Sequence, residues 1–554
     1  MKNLKFHLIS LGCPKNQVDS EDMFTILKRE GLIFSPEISG SDICIINTCG
    51  FLEKARKESI DIIVEIINRK LEGDIKHIIV TGCMVNNNKD VLIKDLPEVD
   101  YFLSTFDEIA IADIAKKLDI NTNANTGANA NTNTNANTII NANTNTNANT
   151  SINTNTNTNT SINTNTNTSV NTHTNTDTSV NTNTSISINT NTNINTDINT
   201  NININTDTDS KLIEREHFNL KRTAYLKISE GCDRHCSFCV IPSIRGVYKS
   251  RTIEELKKEA LYLSENGVKE LIIISQDISY YGVDCNIKDG LYILLKELIK
   301  VKKIKWIRLM YLYPALITDN LISLIKNEEK ILKYADMPIQ HISDNILKSM
   351  KRSTDKKTIL KLIEKFKTEI PDIALRTSLI CGFPGETEDD FNELLSFVKE
   401  IQFDNLGVFK YSDERDAASF KLKNKIGVKL KNERYKTLME LQNSLLPEIF
   451  AKYNGKQYEA IIDNENSGKN IIRTRTYFQA PDIDGCTYIY SENKDGTAKG
   501  GITKDGTTNK SGTITRGIIN CGAIKKNEET DFLRIKITKQ KDYDLYGIDC
   551  GWEN

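Results

Sequence analysis

The sequence predicts an α/β chain with three folded parts: an N-terminal parallel-sheet domain, a partial (βα)6 barrel, and a small C-terminal β-barrel. Three observations predict it. Short β-rich apolar runs alternate with helical patterns over residues 1–118, and again over 211–446. Past 447 that rhythm stops and short alternating runs take over. Between the first two parts, residues 119–210 collapse into Asn-Thr alternation. At 554 residues the chain is also too long for a single hydrophobic core.

In the first part the strand candidates are residues 6–11, 43–47 and 77–80. Residues 20–30 and 52–69 carry helical patterns between them. Strands separated by helices pair in parallel, because a hairpin cannot join them.

The Asn-Thr segment has no Lys, Arg, Phe, Tyr or Trp from Asn121 to Ser210. Such a composition buries too little apolar surface to offset the entropy of ordering it. It is expected to be a disordered insertion, a tolerated expansion rather than a functional tether. It also accounts for the low overall hydrophobic fraction of 38%.

In the barrel region the strand candidates are 224–229, 270–275, 306–311, 334–337, 374–380 and 406–411. Helical patterns such as 253–265 and 389–401 separate them. Six such units suit a partial barrel, whose working edge lies at the C-terminal ends of the strands. In the last part, 458–462, 471–477 and 533–538 alternate as strands do, and the Gly/Thr/Lys-rich stretch 493–517 is expected to be a flexible loop.

The net charge of −2 gives no global attraction to nucleic acid or to an anionic membrane. No apolar stretch is long enough to cross a bilayer, and the first residues lack the pattern of a secretory signal. A cytoplasmic protein is expected. In that reducing compartment, organised cysteines are metal ligands or catalytic thiols rather than disulfides.

Two groups among the twelve cysteines are organised. Cys232, Cys236 and Cys239 form a Cys-x3-Cys-x2-Cys run directly after the first barrel strand. Three thiolates on a short loop can hold three corners of a [4Fe–4S] cluster and leave one iron open for a substrate. Zinc is the competing metal, but its structural sites want a closed shell of four ligands, and no fourth cysteine follows nearby. His235, between the ligands, reads as an ordinary loop residue. The second group is Cys13, Cys49 and Cys83, one after each strand of the first domain. A parallel sheet brings these positions to one edge, where α/β folds build their sites. Cys44 falls inside its strand and reads as core packing.

The run Glu230-Gly231-Cys232-Asp233-Arg234-His235-Cys236-Ser237-Phe238-Cys239 resembles the cluster loop of the radical S-adenosylmethionine (SAM) enzymes. Ile380-Cys381-Gly382-Phe383-Pro384-Gly385-Glu386-Thr387 resembles a later segment of that family that lines the SAM pocket. The resemblance implies SAM chelated at the open iron, one-electron cleavage to a 5′-deoxyadenosyl radical, and Phe238, Gln276, Gly382 and Glu386 as cofactor-binding residues. Cys381 reads as a small buried residue, not a ligand.

The words around the other triad narrow the resemblance. Gly12-Cys13-Pro14-Lys15-Asn16, Asn47-Thr48-Cys49-Gly50-Phe51 and Thr81-Gly82-Cys83 look like those of the methylthiotransferases. That family implies a second [4Fe–4S] cluster on Cys13, Cys49 and Cys83, a radical SAM barrel, and a C-terminal TRAM domain. It has a branch that modifies a tRNA adenosine and a branch that modifies an aspartate of small-subunit ribosomal protein number twelve. Cys13-Pro14-Lys15-Asn16 resembles the protein-modifying branch, where the tRNA branch typically has Gln and Met after the cysteine. Asp336-Met337-Pro338-Ile339-Gln340-His341 and Tyr543-Asp544-Leu545-Tyr546-Gly547 also look like that branch. From Ala451 onward sixteen basic residues face fifteen acidic ones, without the excess expected of a tRNA-gripping domain. One departure stands out: Glu414-Arg415-Asp416-Ala417 replaces the usual Glu-Glu-Gly-Thr run.

The resemblance implies a methylthio group presented from the first-domain cluster to a substrate carbon radical, with SAM as both methyl donor and radical source. It also implies a ribosomal protein partner, an electron donor such as flavodoxin or ferredoxin, and a monomer. No general acid–base pair is required. Two other readings stay open: methylthiolation of tRNA, and a non-catalytic iron–sulfur or zinc protein that binds ribosomes.

Overall fold

The computed structural model describes residues 4–124, 215–216, 222–466, 471–490 and 531–550, and six short strands between 151 and 199. The chain divides into two compact units. One holds Met1–Leu4, Ile26–Ile33 and Ala110–Leu212; the other holds Lys5–Thr25, Phe34–Ile109 and Ile213–Asn554.

In the first part of the chain the strands are β1 (Lys5–Ser10), β2 (Ile33–Phe34), β3 (Ile43–Thr48), β4 (His77–Gly82) and β5 (Tyr101–Phe102), in the order β2-β1-β3-β4-β5. β1 pairs with β3, β3 with β4 and β4 with β5, all in parallel. All six residues of β3 are buried, as a central strand covered on both faces requires. The helix Glu53–Leu71 buries Ile63, Ile66 and Ile67, an i, i+3, i+4 stripe. That stripe packs on Cys44, Ile46, Ile78 and Val80 of the sheet. Cys44 is thus core packing, as expected. The expected strands and helices of this part are all present.

The unit that holds Ala110–Leu212 contains the helix Ile111–Ala124 and the described pieces of the Asn-Thr segment. The described residues of that segment are short strands: β6 (Ser151–Thr154), β7 (Thr160–Thr164), β8 (Ser169–Thr172), β9 (Thr178–Thr182), β10 (Ser187–Thr190) and β11 (Ile198–Asn199). They pair in parallel with the next strand but one, and like residues meet: Ser151 with Ser169, Ile152 with Val170, Asn153 with Asn171. A Ser-(Ile/Val)-Asn-Thr word recurs in these strands. Repetition offers each strand an equivalent partner, and Ile, Val and Thr favour extended backbone. The rest of the segment, and the loop expected at 493–517, lie outside the described residues.

The barrel strands are β12 (Thr223–Lys227), β15 (Glu270–Ile274), β16 (Trp306–Leu309), β17 (Tyr334–Gln340), β18 (Ala374–Cys381) and β19 (Asn405–Lys410). They form two parallel sheets, β12-β15-β16 and β17-β18-β19, with a parallel bridge from Ile307 to Ile331 between them. A short antiparallel pair, β13 (Ser229–Glu230) with β14 (Lys249–Ser250), follows the first strand. Alternate residues face opposite sides. Leu226, Leu271, Ile273, Ile307 and Leu309 pack with the surrounding helices. Tyr225, Ile272, Ile274, Trp306 and Tyr334 share a second core with Phe450, Tyr453, Phe478 and Phe532 of the C-terminal part. Cys381 is fully buried in the first of these cores.

The C-terminal part is a closed barrel, β20-β21-β22-β24-β23, of Gln457–Asn466, Ile471–Thr476, Thr487–Tyr490, Asp544–Asp549 and Phe532–Lys541. A buried ion-pair network fastens it to the βα barrel. Glu270 receives Arg308 Nε at 2.8 Å and Arg475 Nη2 at 2.7 Å, and Arg475 Nε reaches Asp463 at 2.7 Å. Glu270, Arg308 and Arg475 are essentially unexposed. Removing one partner strands the others' charge, which costs about 3–5 kcal/mol. Glu270→Ala is therefore expected to lower the midpoint of the unfolding transition that contains the C-terminal barrel, measured by calorimetry. An unchanged midpoint would show that the network adds nothing. Among the described residues no helix is long and apolar enough to cross a membrane.

Candidate iron–sulfur and cofactor site

Register places the first cysteine triad. Ser10 pairs with Asn47, and Thr48 with Gly82, so β1, β3 and β4 end together. Cys13, Cys49 and Cys83 follow those ends. Glycines let the loops close up. An added Cβ at Gly12 (φ +93°) would lie 2.8 Å from Cys49 Cβ and 3.1 Å from its Sγ. At Gly50 it would lie 2.7 Å from the Cys83 carbonyl, and at Gly82 (φ +101°) 2.4 Å from Asn47 Oδ1. No side chain fits at these three positions.

Two buried asparagines tie the loops together. Asn16 Nδ2 donates to the Leu11 and Thr48 carbonyls at 3.0 and 2.9 Å, and the Cys83 thiol lies 3.4 Å from Asn16 Oδ1. Asn47 Nδ2 donates to Asn16 O and Ser20 Oγ, each at 2.9 Å. Arg245, from the short helix Ile241–Arg245 after the barrel's cysteine loop, enters this site and is 3% exposed. Its Nε donates to Cys83 Sγ at 3.1 Å and its Nη2 to Asn16 Oδ1. Its Nη1 reaches Asp19 at 2.8 Å and Glu230 at 3.2 Å. Burial works against the Glu230 charge, but Lys227 and Arg245 hold its carboxyl down to about 2. Lys15 Nζ lies 3.8 Å from the centre of the Tyr311 ring and 3.3 Å from the Ser275 carbonyl, just beyond β16 and β15.

The second triad sits on the loop after β12 and β13. Its backbone is held independently of the thiols: Cys232 N donates to Gly246 O at 3.1 Å, Ser237 N to Met350 O at 2.9 Å, and Ser419 N to Ser237 O at 2.7 Å. Donors surround the sulfurs. Arg234 N is 3.4 Å from Cys232 Sγ, Ile241 N is 3.5 Å from Cys239 Sγ, and Arg352 Nη1 is 3.6 Å from Cys236 Sγ. The guanidinium groups of Arg234 and Arg352 each lie 4.1 Å from the centre of the Tyr313 ring. His235 is exposed.

Among the described residues no three His, Cys, Asp or Glu side chains are already gathered at metal-ligating spacing. Burial pushes the Cys83 and Cys239 thiols up to about 12 and the Cys232 thiol to about 11. A metal binds the thiolate, so loading either triad displaces these protons. The donor chemistry of both triads fits an iron–sulfur cluster: three thiols each, with N–H groups aimed at their sulfurs, the hydrogen bonds that tune such clusters.

The expected SAM-pocket residues fall in two places. Gly382 (φ +76°) and Phe383 donate their N–H groups to Glu386 Oε2, the latter at 3.0 Å. Glu386 is buried and paired with Arg434 at 3.0 Å, so it closes its own loop. Phe238 packs on Ile346, Met350, Ile380, Phe383 and Tyr411, beside that loop. Gln276 donates to Glu230 Oε1 at 3.1 Å, and its buried Oε1 has no partner among the described residues. The unusual 414–417 loop has a clear place. Glu414 pairs with Arg56 at 2.7 Å and accepts from Glu53 N at 3.3 Å. Ala417 packs with Cys83, Val240, Ile244 and Phe51.

Reading the sequence alone passed over Asn16, Asn47, Lys15, Arg245 and Arg352. The first three stand inside the quoted cysteine words. Arg245 and Arg352 carry no local signal for this role, because the cysteines they reach are 162 and 116 residues away.

Family models match residues 5–104 to the uncharacterized protein family UPF0004, 226–398 to the radical SAM superfamily and 455–504 to the TRAM domain. The ribosomal protein uS12 methylthiotransferase RimO of Citrifermentans bemidjiense is 36% identical over 553 residues, covering 98% of both chains. The RimO of Lachnoclostridium phytofermentans is 35% identical, over 98% of this chain and 99% of its own. That of Clostridioides difficile is 38% identical, over 88% of this chain and 93% of its own. The identity runs through all three parts of the architecture described above, and the chain belongs to the RimO family of radical SAM methylthiotransferases.

Proposed function

We propose that the chain methylthiolates the β-carbon of an aspartate in ribosomal protein uS12. Identity at 36% over 98% of the chain to a uS12 methylthiotransferase carries this reading. The residue arrangement supports it. Cys232, Cys236 and Cys239 would hold one [4Fe–4S] cluster, with Phe238, Gln276, Gly382 and Glu386 toward SAM. Cys13, Cys49 and Cys83 would hold the second. Bound there, these groups supply radical generation and the sulfur to be transferred. The chain's own residues set the geometry: Arg245 ties the barrel's loop to Cys83, and Asn16 and Asn47 fix the three first-domain loops.

The division we propose is 1–118, 119–210, 211–446 and 447–554. Its folded parts contain the three matched regions. A flavodoxin- or ferredoxin-type donor, a monomeric state and a cytosolic setting belong to the same proposal. All eleven cysteines among the described residues are free, which suits a reducing compartment.

The test is anaerobic reconstitution with iron, sulfide, SAM and reductant, on a uS12 peptide carrying the target aspartate and, separately, on tRNA. The expected product is the peptide with one hydrogen replaced by a methylthio group. Modification of tRNA and not of peptide would overturn the assignment.

A further inference from the structure

We propose that Lys15 binds the side-chain carboxylate of the target aspartate and so sets the enzyme's preference for it. This rests on the reading of uS12 as substrate. Lys15 stands two residues after Cys13, and its ammonium lies against the barrel strands' C-terminal ends, at Ser275 and Tyr311. It therefore lies where the two cysteine-bearing loop systems meet.

Its charge is unspent. Among the described residues no carboxylate lies within ion-pair distance of Lys15 Nζ. The nearby acids are committed elsewhere. Glu230 is shared by Lys227 at 2.9 Å, Arg245 at 3.2 Å and Gln276 at 3.1 Å. Asp19 is held by Lys227 and by Arg245 at 2.8 Å. Asp336 is taken by Arg376 at 2.9 Å and by Tyr311 N at 3.0 Å. What Lys15 does have is an aromatic face and one carbonyl. These seat an ammonium without neutralising it.

The seat itself is strained. Tyr311 has φ +64°, a left-handed conformation uncommon for a residue with a bulky side chain. The Asp336 carboxylate bonded to Tyr311 N helps hold the backbone there. Strain of this kind persists where a side chain must be aimed, and here the ring is aimed under Lys15. A fixed, partly desolvated cation with free N–H groups is a receptor for a carboxylate. Charge-assisted hydrogen bonds of this type contribute about 1.5–3 kcal/mol, or roughly 10–100-fold in rate. An asparagine, neutral and of the same shape, would gain far less.

The experiment uses the full-length reconstituted enzyme and two peptides that differ only in Asp or Asn at the target position. For the wild type, Lys15→Met, Lys15→Gln and Lys15→Arg, kcat/KM is measured on both, with iron content and 5′-deoxyadenosine as controls. The wild type should prefer Asp by about tenfold or more. Lys15→Met should lose about 10–100-fold on Asp and little on Asn, so that the preference collapses. Lys15→Arg should recover part of it. The ratio is internal to each variant and does not depend on how much protein is active. Lys15→Gln gives the same readout should the Met variant fail to load iron. An Asp/Asn ratio unchanged in the Met and Gln variants, with the wild type active on Asp, overturns the role of Lys15 alone. A wild type that modifies neither peptide overturns the uS12 reading, and the role of Lys15 with it.

Discussion

Replacing Cys232, Cys236 and Cys239 together by Ala is expected to abolish SAM cleavage and to leave iron on the first domain. The loss should be about four of eight irons per chain, measured after anaerobic reconstitution. The barrel should survive the change. The cysteine loop is fixed by backbone hydrogen bonds through Cys232 N, Ser237 N and Ser419 N, none of which uses a thiol. The first triad lies beyond the other side of Arg245, on loops fixed by Asn16 and Asn47. Arg352 loses one weak contact to Cys236 but keeps its bond to the Pro338 carbonyl at 2.7 Å. Loss of all iron in the triple variant would refute two independent clusters. Retention of all iron would mean that this loop holds none.

Much of the fold was legible because its signals are local. The Ile-rich runs at β3 and β15 are short and bounded, and each expected strand appears within a few residues of its place. The helix Glu53–Leu71 announces itself by Ile63, Ile66 and Ile67. In the Asn-Thr segment composition measures only the apolar surface a segment could bury, and it carries no signal for the pairing by repetition of the described strands there. At the site, spacing puts Cys232, Cys236 and Cys239 on one short loop, and strand order puts Cys13, Cys49 and Cys83 after the aligned ends of β1, β3 and β4. What joins those two groups was not legible. Arg245 reaches Cys83 and Asn16 across 162 and 229 residues, and Lys15 reaches Ser275 across 260. Such pairings depend on how one part of the chain docks on another, which no local pattern encodes. The altered 414–417 loop illustrates the same limit. Its sequence reads as a lapse from the family's pattern, yet Glu414 and Ala417 contact Arg56 and Phe51 of the first domain.

A Cys13→Ala, Cys49→Ala, Cys83→Ala protein is expected to cleave SAM to 5′-deoxyadenosine when reduced and to form no methylthio product. The barrel's cysteine loop meets these cysteines through Arg245 and through Val240 and Ile244, which pack with Cys83 without using its sulfur as a ligand. That arginine keeps Asp19, Glu230 and Asn16 when the Cys83 sulfur is removed, so its buried charge is not stranded. Ala is also smaller than Cys at each position, and the close approaches at Gly12 and Gly50 are to Cys49 Cβ and the Cys83 backbone, which Ala leaves in place. The triple variant should therefore fold, dock its first domain and retain the barrel cluster. In the proposed function radical generation would need only that cluster and SAM, whereas sulfur delivery would need the thiols at the ends of β1, β3 and β4. Both products are to be measured in one anaerobic reaction, 5′-deoxyadenosine by chromatography and modified peptide by mass spectrometry. Normal methylthio product would show that the first-domain cysteines do not carry the sulfur. Loss of both products, with the barrel cluster present by electron paramagnetic resonance, would locate a coupling between the two sites. Arg245 is then the residue to change next, because it is the atom-to-atom link between Glu230, at the start of the barrel's cysteine loop, and Cys83.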